Sequence, residues 1–467
     1  MPTKYHIHTH PCPPRFRPPG KLGIVDWRED CARCHNCVKD ACVYGLYRDE
    51  ADTLRENLGY LDYIYQCKGC LSCVQNCSKG ILTRVVSPEY KRLGDAYFTP
   101  DILLTTWYQA ETGRIPVSGG GYGGPFCGPG FDSMWTDMSE IVRPTRDGIH
   151  GREYISTAID IGRRLPHLLF AGGEPNVSPP PLVQTPLPVM FDILPHRWDR
   201  PPMVLSAAQA AARMGLLTVV RADALPPGLD VSGDRLVPLV ADGSVPDSLA
   251  HCPLVMTPDS AQIERTRSRL KAENPDRIVA VRVPATPTSK DRIRQLVDMG
   301  VEMVHLVFDM HGREQAASKP RHARDVLREV HGALVRAGMR DQVTLAASGG
   351  IALAEHVTKA MICGADLVAI DVPLAMALEC RLCLECDRGQ PCPIALASID
   401  PDFAAGRIVN LIGAWHQQLI EMLGAMGIRE VRRLRGEVGR CMFVEDLERD
   451  TFGRMFGKRK TPAEEGR

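Results

Sequence analysis

The sequence predicts an α/β protein whose larger part is an eight-stranded (β/α)8 barrel of the TIM type, with a cysteine-rich domain before it and a helical tail after it. Three observations lead there. From about residue 186, short β-branched runs alternate with amphipathic stretches, the signature of parallel strands covered by helical crossovers. About eight such units fit into some 250 residues, which suits a closed barrel better than an open doubly wound sheet. Ahead of them, residues 21–95 hold eight closely spaced cysteines and little apolar periodicity, as expected where metal bonds substitute for a core.

Taken in order, residues 1–20 are rich in Pro and His and predict an extended arm lying on another surface. Within it His6, His8 and His10 alternate, a pattern more often solvated or hydrogen-bonded than metal-bound. Residues 21–95 form the cysteine domain. Residues 96–185 form a connecting segment whose Gly-rich stretch, Ser118 to Gly130, lacks the spacing of a dinucleotide loop and reads as a connection passing close to a cofactor or partner. In the barrel, assigned to residues 186–405, the expected strands are 202–206, 216–220, 235–240, 253–257, 277–283, 301–308, 342–348 and 366–370. Residues 406–467 form the C-terminal helical extension, whose long helix carries an apolar stripe suited to covering the barrel or an interface.

Composition narrows the function. Lys plus Arg equals Asp plus Glu at 56 each, so no net field points to nucleic acid or an anionic membrane. No apolar run approaches the roughly 20 residues that span a bilayer. The N-terminal stretch has no apolar segment resembling a signal peptide, and a cytoplasmic location is expected. Thiols stay reduced in that compartment, so the 17 cysteines argue for metal ligation rather than disulfides. Cys12, Cys127, Cys252, Cys363 and Cys441 are scattered and read as packed small hydrophobes.

The other twelve form three groups. Cys31-x2-Cys34-x2-Cys37-x4-Cys42 and Cys67-x2-Cys70-x2-Cys73-x3-Cys77 repeat the triple spacing that wraps three thiolates around one cubane, with the fourth ligand lent by the other motif. This assigns Cys31, Cys34, Cys37 and Cys77 to one [4Fe–4S] cluster and Cys67, Cys70, Cys73 and Cys42 to a second, in a dicluster ferredoxin-like domain. Zinc also takes four thiolates but favours paired knuckles. The third group, Cys380, Cys383, Cys386 and Cys392 followed by Pro393, can ligate one cluster locally, and here zinc competes more seriously because the motif stands alone. Finally, Ser348, Gly349 and Gly350 after a strand, with Gly364 and Ala365 nearby, read as a phosphate turn at a helix N-terminus, an ordinary tight βα turn being the alternative.

The double ferredoxin motif, PVSGGGYGGPF at 116–126, SEIVRPTRDGIHGREYIST at 139–157, RIVAVRV at 277–283, ASGGI with GADLVAI, and the cysteines ending Cys392-Pro393-Ile394 together resemble the glutamate synthase family, in its archaeal type with a built-in two-cluster ferredoxin. The resemblance spans residues 20 to about 410. It implies an FMN barrel with a cluster beside the flavin, and reductive synthesis of glutamate from 2-oxoglutarate and ammonia. Where the family carries a lysine at the end of the central strand, this chain has Arg282, which keeps a cation beside the flavin with different geometry. The family's Gly-Glu-Gly-Gly loop is missing near residues 219–228, its Lys-Pro-Gly loop has no counterpart, and its Asp-Gly-x-x-Gly-Gly-Thr-Gly-Ala turn is replaced by residues 309–316.

Two outcomes are therefore expected. One is an FMN-dependent oxidoreductase for amine formation; the other is an electron-transfer subunit whose barrel has lost its 2-oxoacid site. Met1 is followed by Pro2 rather than by a nucleophilic Cys, so glutamine hydrolysis falls to another subunit. The expected partners are such a glutaminase or reductase subunit and a ferredoxin-like or NAD(P)H-linked electron donor.

Overall fold

Eight parallel strands close on themselves: β1 (Val189–Phe191), β2 (Thr218–Arg221), β3 (Leu236–Leu239), β4 (Leu254–Pro258), β5 (Ile278–Pro284), β6 (Met303–Val307), β7 (Thr344–Ser348) and β8 (Leu367–Ile370). The computed structural model describes residues 5–16, 18–19, 34, 72–80, 86–115, 127–136, 154–164, 170–175, 179–241 and 243–457. Each strand pairs with the next, and β8 returns to β1 with Ile370 opposite Phe191.

Alternation along the strands sorts two apolar layers. Met190, Val219, Val237, Met256, Ala280, Met303, Ala346 and Ala369 pack together inside the barrel. Val189, Phe191, Val281, Val304, Leu345 and Val368 belong instead to the layer shared with the helices. Ile159 and Ile161, from an antiparallel hairpin pairing 159–162 with 182–185, join the inner layer. That hairpin closes the N-terminal end of the barrel, where Gly162 exchanges hydrogen bonds with the Thr344 hydroxyl at 2.9 Å. Each fully buried aliphatic side chain contributes roughly 1.5–3 kcal/mol, so these layers supply most of the cohesion.

The eight strands stand as expected except the first. Residues 202–206 are not a strand; they open helix α2 (Pro201–Met214), α1 being the earlier helix Pro100–Thr112. Pro201 and Pro202 have φ preset for a first helical turn, the Ser206 hydroxyl donates to the Pro202 carbonyl, and the alanines beyond favour continuation. The first strand is the three-residue run 189–191, bracketed by Pro186, Pro188 and Asp192. Crossovers α3 (Ile263–Glu273), α4 (Ser289–Asp298), α5 (Ala323–Arg336) and α6 (Ala354–Ile362) follow β4 to β7. Among the described residues no α-helix lies between β2 and β3 or between β3 and β4; loop residues such as Leu225, Leu229 and Val245 cover Val220, Leu236 and Leu249 there.

After β8 come the short α7 (Val372–Ala377) and the long α8 (Pro401–Ala425), capped by Asp400, whose carboxylate accepts the Phe403 N–H at 2.8 Å. Among the described residues no helix is long and apolar enough to cross a membrane. The N-terminal arm runs over α1 and α8: Asn410 clasps both main-chain groups of His10, and the Cys12 N–H donates to the Glu111 carbonyl. Beneath it Arg407 is fully buried and gives hydrogen bonds to the carbonyls of Ala377 at 2.7 Å, Cys12 at 2.9 Å and Trp107 at 3.4 Å. One guanidinium thus fastens the arm, α1 and α7 to α8. Replacing Arg407 by Ala strips three buried carbonyls of this donor and is expected to destabilise the protein by about 3–5 kcal/mol, read as a lower denaturant midpoint.

Candidate functional site

The strand pleat sends one set of side chains into the barrel, and at its C-terminal mouth that set is polar. Arg282 on β5 lies opposite His305 on β6, while Asp192 and Asp371 directly follow the adjacent strands β1 and β8. Arg282 holds Asp192 with both terminal nitrogens, Nη1 on Oδ1 and Nη2 on Oδ2, the latter at 3.0 Å. Nη1 also donates to His305 Nδ1 at 3.2 Å, which leaves the imidazole proton on Nε2. That nitrogen is fully buried, lies 3.8 Å from Asp192 Oδ2 and has no hydrogen-bond partner.

Burial pushes His305 down to about 4; Asp192 pulls upward and Arg282 downward, and the ring is neutral near pH 7. Burial also opposes ionisation of Asp192, yet its carboxyl is held below the usual range by His305 and Arg282; with the imidazole neutral, the guanidinium is the charge responsible. Asp371 behaves oppositely. Desolvation and the neighbouring Asp192 charge push it up to about 6, against the Val372 N–H that it accepts as the cap of α7. Two carboxyls on neighbouring strands thus separate into one fixed anion and one group able to keep a proton into the mildly acidic range.

The predicted phosphate turn follows β7 at the same end. Gly349 and Gly350 adopt φ of +97° and +72°, and a Cβ would meet the Asp309 carbonyl oxygen at 2.3 Å on the first and the Gly312 Cα at 2.8 Å on the second. The turn is clasped by the 309–316 loop: the Gly350 N–H donates to the Met310 carbonyl, and the Tyr97 hydroxyl donates to the Gly350 carbonyl at 2.7 Å. The Gly350 donor expected to meet a phosphate is therefore engaged within the protein. Gly364 and Ala365 require a correction, because they precede β8 and so lie at the opposite end of the barrel from Ser348. There Gly364 packs against His331 and its carbonyl accepts from Arg340 at 2.8 Å.

The third cysteine group leaves the C-terminal end of β8. Cys380, Cys383, Cys386 and Cys392 line a cavity of about 230 Å³, walled on its other side by Arg197, Trp198, Arg200 and Met203 from the segment after β1. Of the five described non-glycine residues with positive φ, four fall here: Glu379, Leu382, Leu384 and Ala395. Left-handed backbone costs a side-chain-bearing residue about 1–2 kcal/mol, so its concentration around these cysteines marks a loop shaped for a ligand. Among the described residues the one trio of ligating atoms within 4.8 Å of one another is Asp132, Glu355 and His356, all buried.

In the N-terminal motifs, Cys34 Sγ lies 3.9 Å from the hydroxyl of Ser78, the residue after Cys77, and Cys73 sits in a helical turn at 72–75. Cys31, Cys37, Cys42, Cys67 and Cys70 lie outside the described residues.

Residues 323–429, from α5 through α8, match the conserved region in glutamate synthase. Over nearly the whole chain the sequence is similar to the archaeal-type glutamate synthase [NADPH] of Dehalococcoides mccartyi, at 27% identity over 88% of this chain and 93% of the relative. It is also similar to the archaeal glutamate synthases [NADPH] of Archaeoglobus fulgidus, at 25% over 96% and 98%, and of Methanocaldococcus jannaschii, at 25% over 92% and 96%. The chain is thus similar to the glutamate synthase family, by its conserved region and by these relatives.

The matched family region carries the Ser348 turn, Asp371 and the four cysteines of the cavity. Of the polar residues at the mouth, Arg282 was legible in the sequence, whereas Asp192, His305 and Asp371 were not. Asp192 was hidden by the misplaced first strand; His305 stands alone in an apolar run; Asp371 follows its strand, a position that in barrels faces the site. An acid whose folded pKa lies above its unfolded value keeps a proton the unfolded chain has released, so stability falls as pH rises through that window. Asp371→Asn, which keeps the helix cap, is expected to flatten the decline in stability between about pH 4 and pH 6, followed by denaturant midpoints across that range.

Proposed function

We propose that the chain is an iron–sulfur oxidoreductase of the glutamate synthase type, in which [4Fe–4S] clusters on the N-terminal cysteines and a cluster on Cys380, Cys383, Cys386 and Cys392 supply single electrons to reductive amine chemistry at the barrel mouth. The observation that carries this reading is the cysteine-lined cavity, enclosed by the segments that leave β1 and β8 and therefore adjoining Asp192 and Asp371. A cluster there sits where electrons are wanted and where a buried carboxyl can hold a proton.

FMN would convert single electrons into a hydride. Arg282 and the unpartnered Nε2 of His305 suit the electron-rich edge of such a ring at the mouth. The engaged Gly350 N–H does not suit its phosphate. The names of the relatives nominate NADPH as the electron source, delivered through a reductase subunit or a ferredoxin-like donor, with glutamate as the product.

A second reading is an electron-transfer subunit without flavin chemistry. It is favoured by that same Gly350 bond and by the Asp192 carboxylate, which occupies the Arg282 guanidinium that would otherwise meet a 2-oxoacid.

Anaerobic purification followed by iron and flavin quantitation and a visible spectrum separates the two. Flavin bands with roughly twelve iron atoms per chain, three cubanes, support the enzyme; the same iron without flavin supports the conduit. Cys383→Ser is expected to lose roughly four irons while the N-terminal clusters stay. Zinc in place of iron overturns both readings.

A further inference from the structure

The two walls of the cysteine cavity are joined by an ion pair whose partners stand differently toward it. Arg197 Nη1 donates to Asp387 Oδ2. Arg197 lines the cavity, whereas Asp387 is not among its lining residues. The Arg197 side chain is 20% exposed and that of Asp387 43%, so the guanidinium is the less hydrated of the two.

The chain on both sides is fixed. The Trp198 and Asp199 N–H groups both donate to the Pro195 carbonyl, at 2.7 and 2.9 Å, and α2 starts at Pro201. Trp198 is buried, and the Arg197 guanidinium lies 5.2 Å from the centroid of its ring. Asp199 ties the same turn to β2 through Arg221 at 3.0 Å. On the other wall, Asp387 directly follows Cys386, in a turn closed by its own N–H on the Leu384 carbonyl at 3.2 Å. The root of that loop is held by Glu379, a buried carboxylate that accepts from Arg15 Nε at 3.0 Å.

A cubane on four thiolates is an anion in both of its oxidation states, and an incoming electron makes it more negative. A cation on the wall favours the reduced state and raises the potential; an anion lowers it. The pair as a whole is neutral, so its effect depends on which member borders the cavity and is less screened by water. On both counts that member is Arg197.

We propose that Arg197 raises the reduction potential of the cluster on Cys380, Cys383, Cys386 and Cys392, and that the Asp387 carboxylate beside Cys386 opposes it more weakly. The step concerned is the uptake of one electron by the oxidised cluster from an external one-electron reductant; no bond forms or breaks and no proton moves. Neither residue ligates iron, and both act through space. The proposal rests on the cluster reading above and adds the residues that tune that site.

The test is a redox titration followed by electron paramagnetic resonance, on full-length protein prepared without oxygen and with its iron counted. The signal of the third cluster is the one lost in Cys383→Ser. Arg197→Gln is expected to shift its midpoint to more negative potential at unchanged iron, Arg197→Lys to fall between Arg197→Gln and the wild type, and Asp387→Asn to shift it to more positive potential. Both shifts shrink as salt is raised, because partly exposed charges are screened. A bridge that merely braces the loop is broken alike by Arg197→Gln and Asp387→Asn, so midpoints that move in the same direction, or not at all, overturn the proposal. If Arg197→Gln loses iron, Asp387→Asn decides: a more positive midpoint supports the proposal, while an unchanged or more negative one, or loss of iron here too, overturns it. A wild type without iron at 380–392 overturns the cluster reading first and this inference with it.

Discussion

The pairing of β8 with β1 is the constraint on which the rest of the molecule depends. It closes the barrel, sets Ile370 against Phe191, and so brings Asp371 and Asp192 to neighbouring positions at the mouth. The same closure carries the segments after the two strands to one place, where they become the two walls of the cysteine cavity. Three-residue β1 does this with little ladder of its own; its hold comes from Val189 and Phe191 packed outward and Met190 packed inward. The electrostatic arrangement of the mouth and the cavity beside it are consequences of one parallel register.

Within that frame the charges at the mouth are settled by desolvation. A lone guanidinium inside a barrel would be untenable, and Asp192 answers it in a two-point pair that also fixes the tautomer of His305. Burial, and after it that neighbouring carboxylate, make the next acid, Asp371, resist ionisation. Burial therefore sets the state of His305 and Asp371 first, and the ion pair adds to it. The cysteine loop beside it is governed differently, by a backbone bent into the left-handed region at Glu379, Leu382 and Leu384, with Arg197 and Asp387 bridging its outer edge.

Much of this was legible in the sequence because apolar runs and cysteine spacing are strong local signals. Seven strands could be placed from runs such as residues 277–283 and 366–370, since a strand buried on both faces leaves an unbroken apolar trace. The first could not. Val189 to Phe191 is too short and too closely bracketed by prolines, while the Val204-Leu205 pair imitated a strand inside a helix opened by prolines. Gly364 and Ala365 were assigned to the wrong end of the barrel because strand–glycine–helix–glycine–strand places glycine before and after a helix without saying which turn faces the ligand. Asp192, Asp371 and His305 have no local signature at all. They meet only through pairings between distant strands, and no spacing along the chain encodes that. The reach of Arg15 to Glu379 is equally silent in sequence, joining residues more than 350 positions apart.

The missing crossovers around β3 give the molecule a hard side and a soft one. From β4 onward the barrel wall is backed by helices, and from β8 back to β1 by α2 and α8; between β2 and β4 its outer face is sealed only by irregular chain and a small apolar cluster. The main-chain hydrogen bonds of β3 are therefore covered by loops instead of helices, which makes that flank the less firmly backed part of the wall. It lies two strands from β1, whose following segment walls the cysteine cavity.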